Sequence, residues 1–211
     1  MKTANFIVLE GLDGTGKTTQ LQLLAEALGR RGRTVFTDAE PTAAPTGRFL
    51  RRMLAGELPA NEWANAALFF ADRVHHNAGP DGLISRLARG ETVLLDRYFY
   101  STLAYQGVNT DPEWVMDMHY GCPGIAIPQL VLFLTLSPEE SLRRIAATRA
   151  GRPLEIYETE ERLRDIARRF ELVFPRLRGG ETVVRVDASG TKEEVTARLL
   201  AAVDAYEEGS E

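Results

Sequence analysis

Cysteine, histidine and unbroken apolar sequence are all scarce in this chain, and each scarcity closes off a class of function. Cys122 is the single cysteine, so no internal disulfide can form, and its thiol is expected to be a small buried group. Of three histidines, His75 and His76 are adjacent; no third ligand has metal-binding spacing, so no zinc site is assigned and the pair is read as a helix-surface feature. No apolar run is long enough to span a bilayer and no leader pattern precedes the first apolar segment, so a cytoplasmic location is expected, away from any membrane. Positive charge is short as well. With 25 Lys and Arg against 30 Asp and Glu, the net charge of −5 does not suit a sequence-independent grip on nucleic acid. Repeats, low-complexity tracts and long linkers are missing too, and residues 1–211 are expected to form a single domain.

What the chain does have is alternation. Short apolar runs rich in Val and Leu predict strands over 6–9, 34–38, 92–96, 130–136 and 183–186. They are apolar throughout, as strands covered on both faces should be. Helical patterns predict helices over 18–30, 46–54, 62–77, 138–148, 158–174 and 191–207. Ser137 with Pro138 reads as an N-cap followed by a first-turn proline. The order predicts an α/β fold: a five-stranded parallel sheet with helices on both faces and ligands at the carboxyl ends of its strands. Trp63 and Trp114 are expected in or near the core.

The run Gly11-Leu12-Asp13-Gly14-Thr15-Gly16-Lys17-Thr18 fits G-x-x-x-x-G-K-[ST] at every fixed position, between a predicted strand and a predicted helix. Glycines let the backbone curl so that successive N–H groups converge on one anion, and the helix N-terminus adds its partial positive charge. The loop through Thr19 therefore predicts a nucleoside triphosphate site. Lys17 would reach the β- and γ-phosphates and the Thr18 hydroxyl would face Mg²⁺. An acidic group, Asp96, ends the third predicted strand and suits the same cation; Arg97 beside it offers a guanidinium fork to a phosphate.

Asp96-Arg97-Tyr98, Ser101 and Ala104-Tyr105-Gln106-Gly107 together resemble the DRY…S…AYQG signature of thymidylate kinases. So do Ala67 to Arg73 (the family's LLF…R helix), Glu40-Pro41, the Asp13-Gly14 form of the phosphate loop, Pro128-Gln129-Leu130 and Asp187-Ala188-Ser189. The matches run from Phe6 to Ser189. The resemblance implies a P-loop nucleoside monophosphate kinase using ATP and Mg²⁺ to convert dTMP to dTDP, commonly as a homodimer. Phe69 would stack on thymine and Arg73, four residues on, would donate to a ring oxygen. Tyr105 would lie under the sugar and exclude a 2′-hydroxyl, Asp13 would accept from the 3′-hydroxyl, and Arg97 would hold the acceptor phosphate. Thr102 and Gln106 either complete the polar wall around the base or are helix-surface residues. Phe70 turns to another face and is read as core.

Gly151 and Pro153 break the helical pattern among Arg143, Arg144, Arg149 and Arg152. In the family this segment, about 148–156, is a lid over ATP. With Gly14 in the phosphate loop, Arg149 or Arg152 would stabilise charge on the γ-phosphoryl group. Arg143 and Arg144 are read as a solvated helix end.

Three positions depart from the family pattern. Ala39 stands where an Arg often helps hold the acceptor phosphate, so Arg48 substitutes or acceptor binding weakens. Thr42-Ala43-Ala44-Pro45 is poorer in glycine than usual, and Gln129 replaces an Asp. Two alternatives stay open at this point: a kinase for another pyrimidine nucleotide or nucleoside, and a non-catalytic nucleotide-binding module.

Overall fold

The computed structural model describes residues 3–59, 61–107, 109–148 and 159–209. Along the chain run β1 (Phe6–Gly11), α1 (Lys17–Arg30), β2 (Val35–Ala39), α2 (Pro45–Leu54), α3 (Glu62–Ala78), α4 (Leu83–Ala88), β3 (Thr92–Asp96), α5 (Phe99–Tyr105), α6 (Pro112–Tyr120), β4 (Leu130–Thr135), α7 (Pro138–Thr148), α8 (Glu160–Val173), β5 (Thr182–Asp187) and α9 (Lys192–Glu208). The five strands are all parallel in the order β2-β3-β1-β4-β5. All five predicted strands are present.

Successive side chains on a strand face opposite ways, and the sheet uses this to build two cores. Ile7 and Leu9 of β1, with Leu130, Leu132 and Leu134 of β4, pack beneath Leu21, Leu24 and Leu28 of α1 and Val195, Leu199 and Val203 of α9. Phe6, Val8, Val93, Leu95, Val131 and Phe133 point the other way, towards Phe99, Met116 and Phe170. β1, β3 and β4 are almost wholly buried, which is why they read as unbroken apolar runs.

Helix starts follow local chemistry. Asn61 accepts from the N–H of Trp63 and Ala64 to open α3, and Thr191 forms a capping box with Glu194 to open α9. Ser137 accepts from the N–H of Glu140 at 3.1 Å, the expected cap of α7. Helices α4, α5 and α6 were not anticipated from periodicity. α6 carried its own signal, an Asp111 cap followed by Pro112 in the first turn. α5 is seven residues long and almost wholly buried, so it shows no amphipathic stripe.

Three expectations are corrected. Trp63 is 48% exposed, its ring tilted against Trp114 at 5.0 Å. His76 is half-buried between Asp38 and Glu40, whereas His75 stays on the surface. Cys122 is only partly buried. The departure at Gln129 is structural: its Oε1 accepts from the N–H of Asn5 at 2.7 Å and of Phe6 at 3.0 Å, at the amino end of the sheet, opposite the predicted site.

Candidate active site

Residues 12–16 curl over the carboxyl end of β1. Gly14 and Gly16 both adopt left-handed backbone, with φ of 82° and 89°. Gly14 is tied by space as well as angle: a Cβ there would meet the Ser141 carbonyl oxygen of α7 at 2.4 Å. Lys17, the first residue of α1, is buried, its Nζ donating to the carbonyls of Gly11 at 3.1 Å and Leu12 at 2.8 Å. Burial and the neighbouring Arg97 charge lower its pKa, against the pull of Asp13 and Asp96. Asp13, Gly14, Thr15, Gly16, Lys17, Thr18 and Thr19 line a cavity of about 900 Å³, together with Ala188, Gly190, Thr191 and Lys192. Gly11 contributes through its carbonyl rather than through the cavity wall. Arg143 and Arg144 also line this cavity; Arg144 donates to the Ala188 carbonyl and is a wall residue, whereas the Arg143 side chain is 71% exposed and pairs with Glu140, the solvated group expected.

At the mouth of the loop the Thr18 hydroxyl donates to Asp96 Oδ2 at 2.6 Å. Asp96 Oδ1 is buried and has no hydrogen-bond partner among the described residues. A hydroxyl and a carboxylate with an unused oxygen form a hard-oxygen donor set that fits Mg²⁺.

A second cavity, of about 260 Å³, opens beside the first. Phe69 and Arg73 of α3, Thr102 and Tyr105 of α5, and Gln106 line it, together with Glu40, Pro41, Arg51 and Ser101. Thr102 and Gln106 are buried, which places them in the wall and not on a helix surface. Arg73 is not a solvated charge: its side chain is 1% exposed and its Nε donates to Glu40 Oε2 at 2.6 Å. Asp72 fastens the loop after β2, accepting from the N–H of Thr42 at 2.8 Å and from the hydroxyls of Thr42 and Thr46. Arg48 points elsewhere, to the Ala43 carbonyl, and does not line the cavity. Arg51, nearly one turn later on α2, does, braced on the carbonyls of Pro41 and Thr42.

Asp13, Glu40 and Arg97 line both cavities. Arg97 has a left-handed φ of 70°, sparse for a residue with a side chain, and this turn aims its guanidinium across the boundary. Its Nη2 donates to Asp13 Oδ1 at 2.6 Å and to the Tyr105 hydroxyl at 3.3 Å; its Nη1 donates to Ser101 at 2.9 Å. Burial opposes the charge on Asp13, but Arg97 and Lys17 outweigh it and hold the carboxyl down to about 2. Glu10, which the sequence pattern did not single out, supports this arrangement from below. Its buried carboxylate accepts from the N–H groups of Tyr98 and Ser101 and the Ser101 hydroxyl, capping α5 from another strand. The signal was its place at the end of an apolar strand, where a charge has no packing reason to be.

A thymidylate kinase family profile matches residues 9–199. The chain belongs to the thymidylate kinase family. Among its relatives, a thymidylate kinase of Synechococcus sp. (strain JA-3-3Ab) is 38% identical over 202 residues, 94% of each chain. A probable thymidylate kinase of Thermococcus kodakarensis is 38% identical over 82% of this chain and 87% of its own. A thymidylate kinase of Leptospira interrogans is 32% identical over 92% and 91%. The phosphate loop follows β1, and the Asp96-Arg97-Tyr98 segment begins at the last residue of β3, the parallel neighbour of β1, so the two meet at one rim. The expected lid with Arg149 and Arg152 lies outside the described residues, save Thr148 at the end of α7.

Proposed function

We propose that this chain is a thymidylate kinase that transfers the γ-phosphoryl group of ATP to dTMP, releasing ADP and dTDP. The observation that carries this reading is the shared wall: Asp13, Glu40 and Arg97 bound both cavities, so two nucleotides can meet end to end there.

The larger cavity takes ATP, with the backbone N–H groups of residues 13–18 and Lys17 around its phosphates. The smaller takes dTMP, with Phe69 on the base, Arg73 at a ring carbonyl, Thr102 and Gln106 in the polar wall, and Tyr105 beneath the sugar. Asp13 takes the 3′-hydroxyl. Arg97 holds the acceptor phosphate, and Arg51 supplies the positive charge that Ala39 lacks. A phosphate oxygen of dTMP is already anionic at neutral pH, so it attacks the γ-phosphorus without a general base. The new P–O bond forms as the bond to the β-phosphate oxygen breaks and ADP leaves. Catalysis is alignment plus charge neutralisation. Thr18 and Asp96 would hold Mg²⁺, which when bound supplies charge neutralisation at the phosphates. Arg149 and Arg152 of the lid complete the charge at the γ-phosphoryl group and help keep water out. The chain works as one domain, as a cytoplasmic homodimer; support for this is the family resemblance.

A coupled assay of ADP release across dTMP, dUMP, dCMP and thymidine tests the reading. The expected order puts dTMP first. Preferred phosphorylation of thymidine, or no acceptor-dependent ADP, overturns it.

A further inference from the structure

An arginine reads one carbonyl faithfully only if its other donors are held. Arg73 presents five coplanar N–H groups. Glu40 Oε2 takes one edge, 2.6 Å from Nε and 2.6 Å from Nη2. On the opposite edge the two Nη1 protons go to the Thr102 hydroxyl, at 3.4 Å, and to the closer partner His119, whose Nε2 lies 2.7 Å away.

A guanidinium has no lone pair to offer, so His119 Nε2 must accept. Its other nitrogen, Nδ1, lies 2.6 Å from the Val115 carbonyl one turn earlier on α6 and must donate. The two contacts together permit one tautomer of the neutral ring. The ring cannot turn away: His119 is fully buried, stacked on Phe99 at 5.0 Å and met edge-on by Phe70 at 5.2 Å. Burial and the Arg73 charge lower its pKa to about 3, against the Val115 hydrogen bond.

We propose that His119 is the positioning residue for base selection: a neutral, single-tautomer acceptor that locks the Arg73 guanidinium with its remaining Nη2 proton turned to the acceptor cavity. That proton meets a pyrimidine carbonyl and opposes the amino group of a cytosine, which would set donor against donor. His119 touches no substrate and acts through Arg73. The inference rests on the dTMP reading above.

The test compares His119→Phe, which keeps a flat apolar ring but no acceptor, with His119→Gln, whose amide oxygen can accept. In the folded His119→Phe protein, KM for dTMP is expected to rise about tenfold while kcat stays within about threefold, since a lost charged hydrogen bond is felt in binding. KM for ATP should hold, and the preference for dTMP over dCMP should fall about tenfold. His119→Gln should restore most of both. Unchanged KM and preference in a folded His119→Phe protein overturns the inference. If that variant does not fold, nitrogen-15 NMR of the wild-type imidazole decides: Nδ1 protonated and Nε2 bare at pH 7 supports it, and a charged or Nε2-protonated ring overturns it. Arg73→Leu separates the two levels. Should it leave KM for dTMP unchanged, the base-reading role of Arg73 falls. Should it raise KM while His119→Phe does not, only the part given to His119 falls.

Discussion

Nη2 of Arg97 lies 2.6 Å from Oδ1 of Asp13, on the line where the two cavities join. The pair holds a guanidinium ready at the junction before either nucleotide arrives. An acceptor phosphate then meets a donor already oriented, and less side-chain freedom is lost on binding. Arg97→Lys keeps the charge and loses the fork. It is expected to lower kcat/KM for dTMP about a hundredfold, while the Kd for ATP measured by calorimetry stays within about threefold. An equal loss in both would move Arg97 out of the acceptor role.

The phosphate loop is pressed against α7 at Gly14. Gly14→Ala puts a Cβ at a φ of 82° and 2.4 Å from the Ser141 carbonyl. The left-handed backbone alone costs roughly 1–2 kcal/mol. Urea denaturation should show at least that loss, and ATP affinity should fall with it because the loop and α7 must part. A variant as stable as the parent would show that the loop is not packed in this way.

His76 supplies a stability term of defined sign. Burial opposes its charge, but hydrogen bonds and charge from Asp38 and Glu40 prevail and raise its pKa from 6.5 to about 9. The folded form holds the proton more tightly than the unfolded chain. Its contribution is therefore complete below about pH 6.5 and is lost as pH rises through about 9. The full term is on the order of 3 kcal/mol. Unfolding free energies at pH 6.5 and 9.5 should differ less in His76→Gln than in the parent by about that amount. Parallel curves would remove His76 from the account.

Asp96→Asn keeps size and removes the charge beside the Thr18 hydroxyl. Half-maximal activity should then need about tenfold more Mg²⁺, with the fold intact by circular dichroism. No change in Mg²⁺ requirement would place the ion elsewhere.

Replacing both Arg149 and Arg152 by Ala should lower kcat about a thousandfold with little change in ATP Kd, because transition-state charge is what an added arginine stabilises. Equal turnover in the double variant would dismiss the lid assignment.

The comparison of Arg48 with Arg51 shows where sequence reasoning stops. Both sit on α2 and both could in principle replace the charge missing at Ala39. They lie three residues apart, but only Arg51 reaches the cavity, braced on the carbonyls of Pro41 and Thr42. Thr102 and Gln106 pose the same difficulty. A polar residue on a short helix looks the same in sequence whether it faces solvent or a buried wall, and the burial of α5 on both sides decides it.

The sheet, the curled loop at residues 11–18 and the Asp96-Arg97-Tyr98 segment were determined by the sequence alone, because period, glycine placement and strand-end charge are local properties. Tertiary structure alone decided which charges neutralise one another. Arg73 finds Glu40 33 residues away and His119 46 residues away. Such partners meet only when α3, α6 and the end of β2 have packed together, and a buried guanidinium is tolerable only once they have.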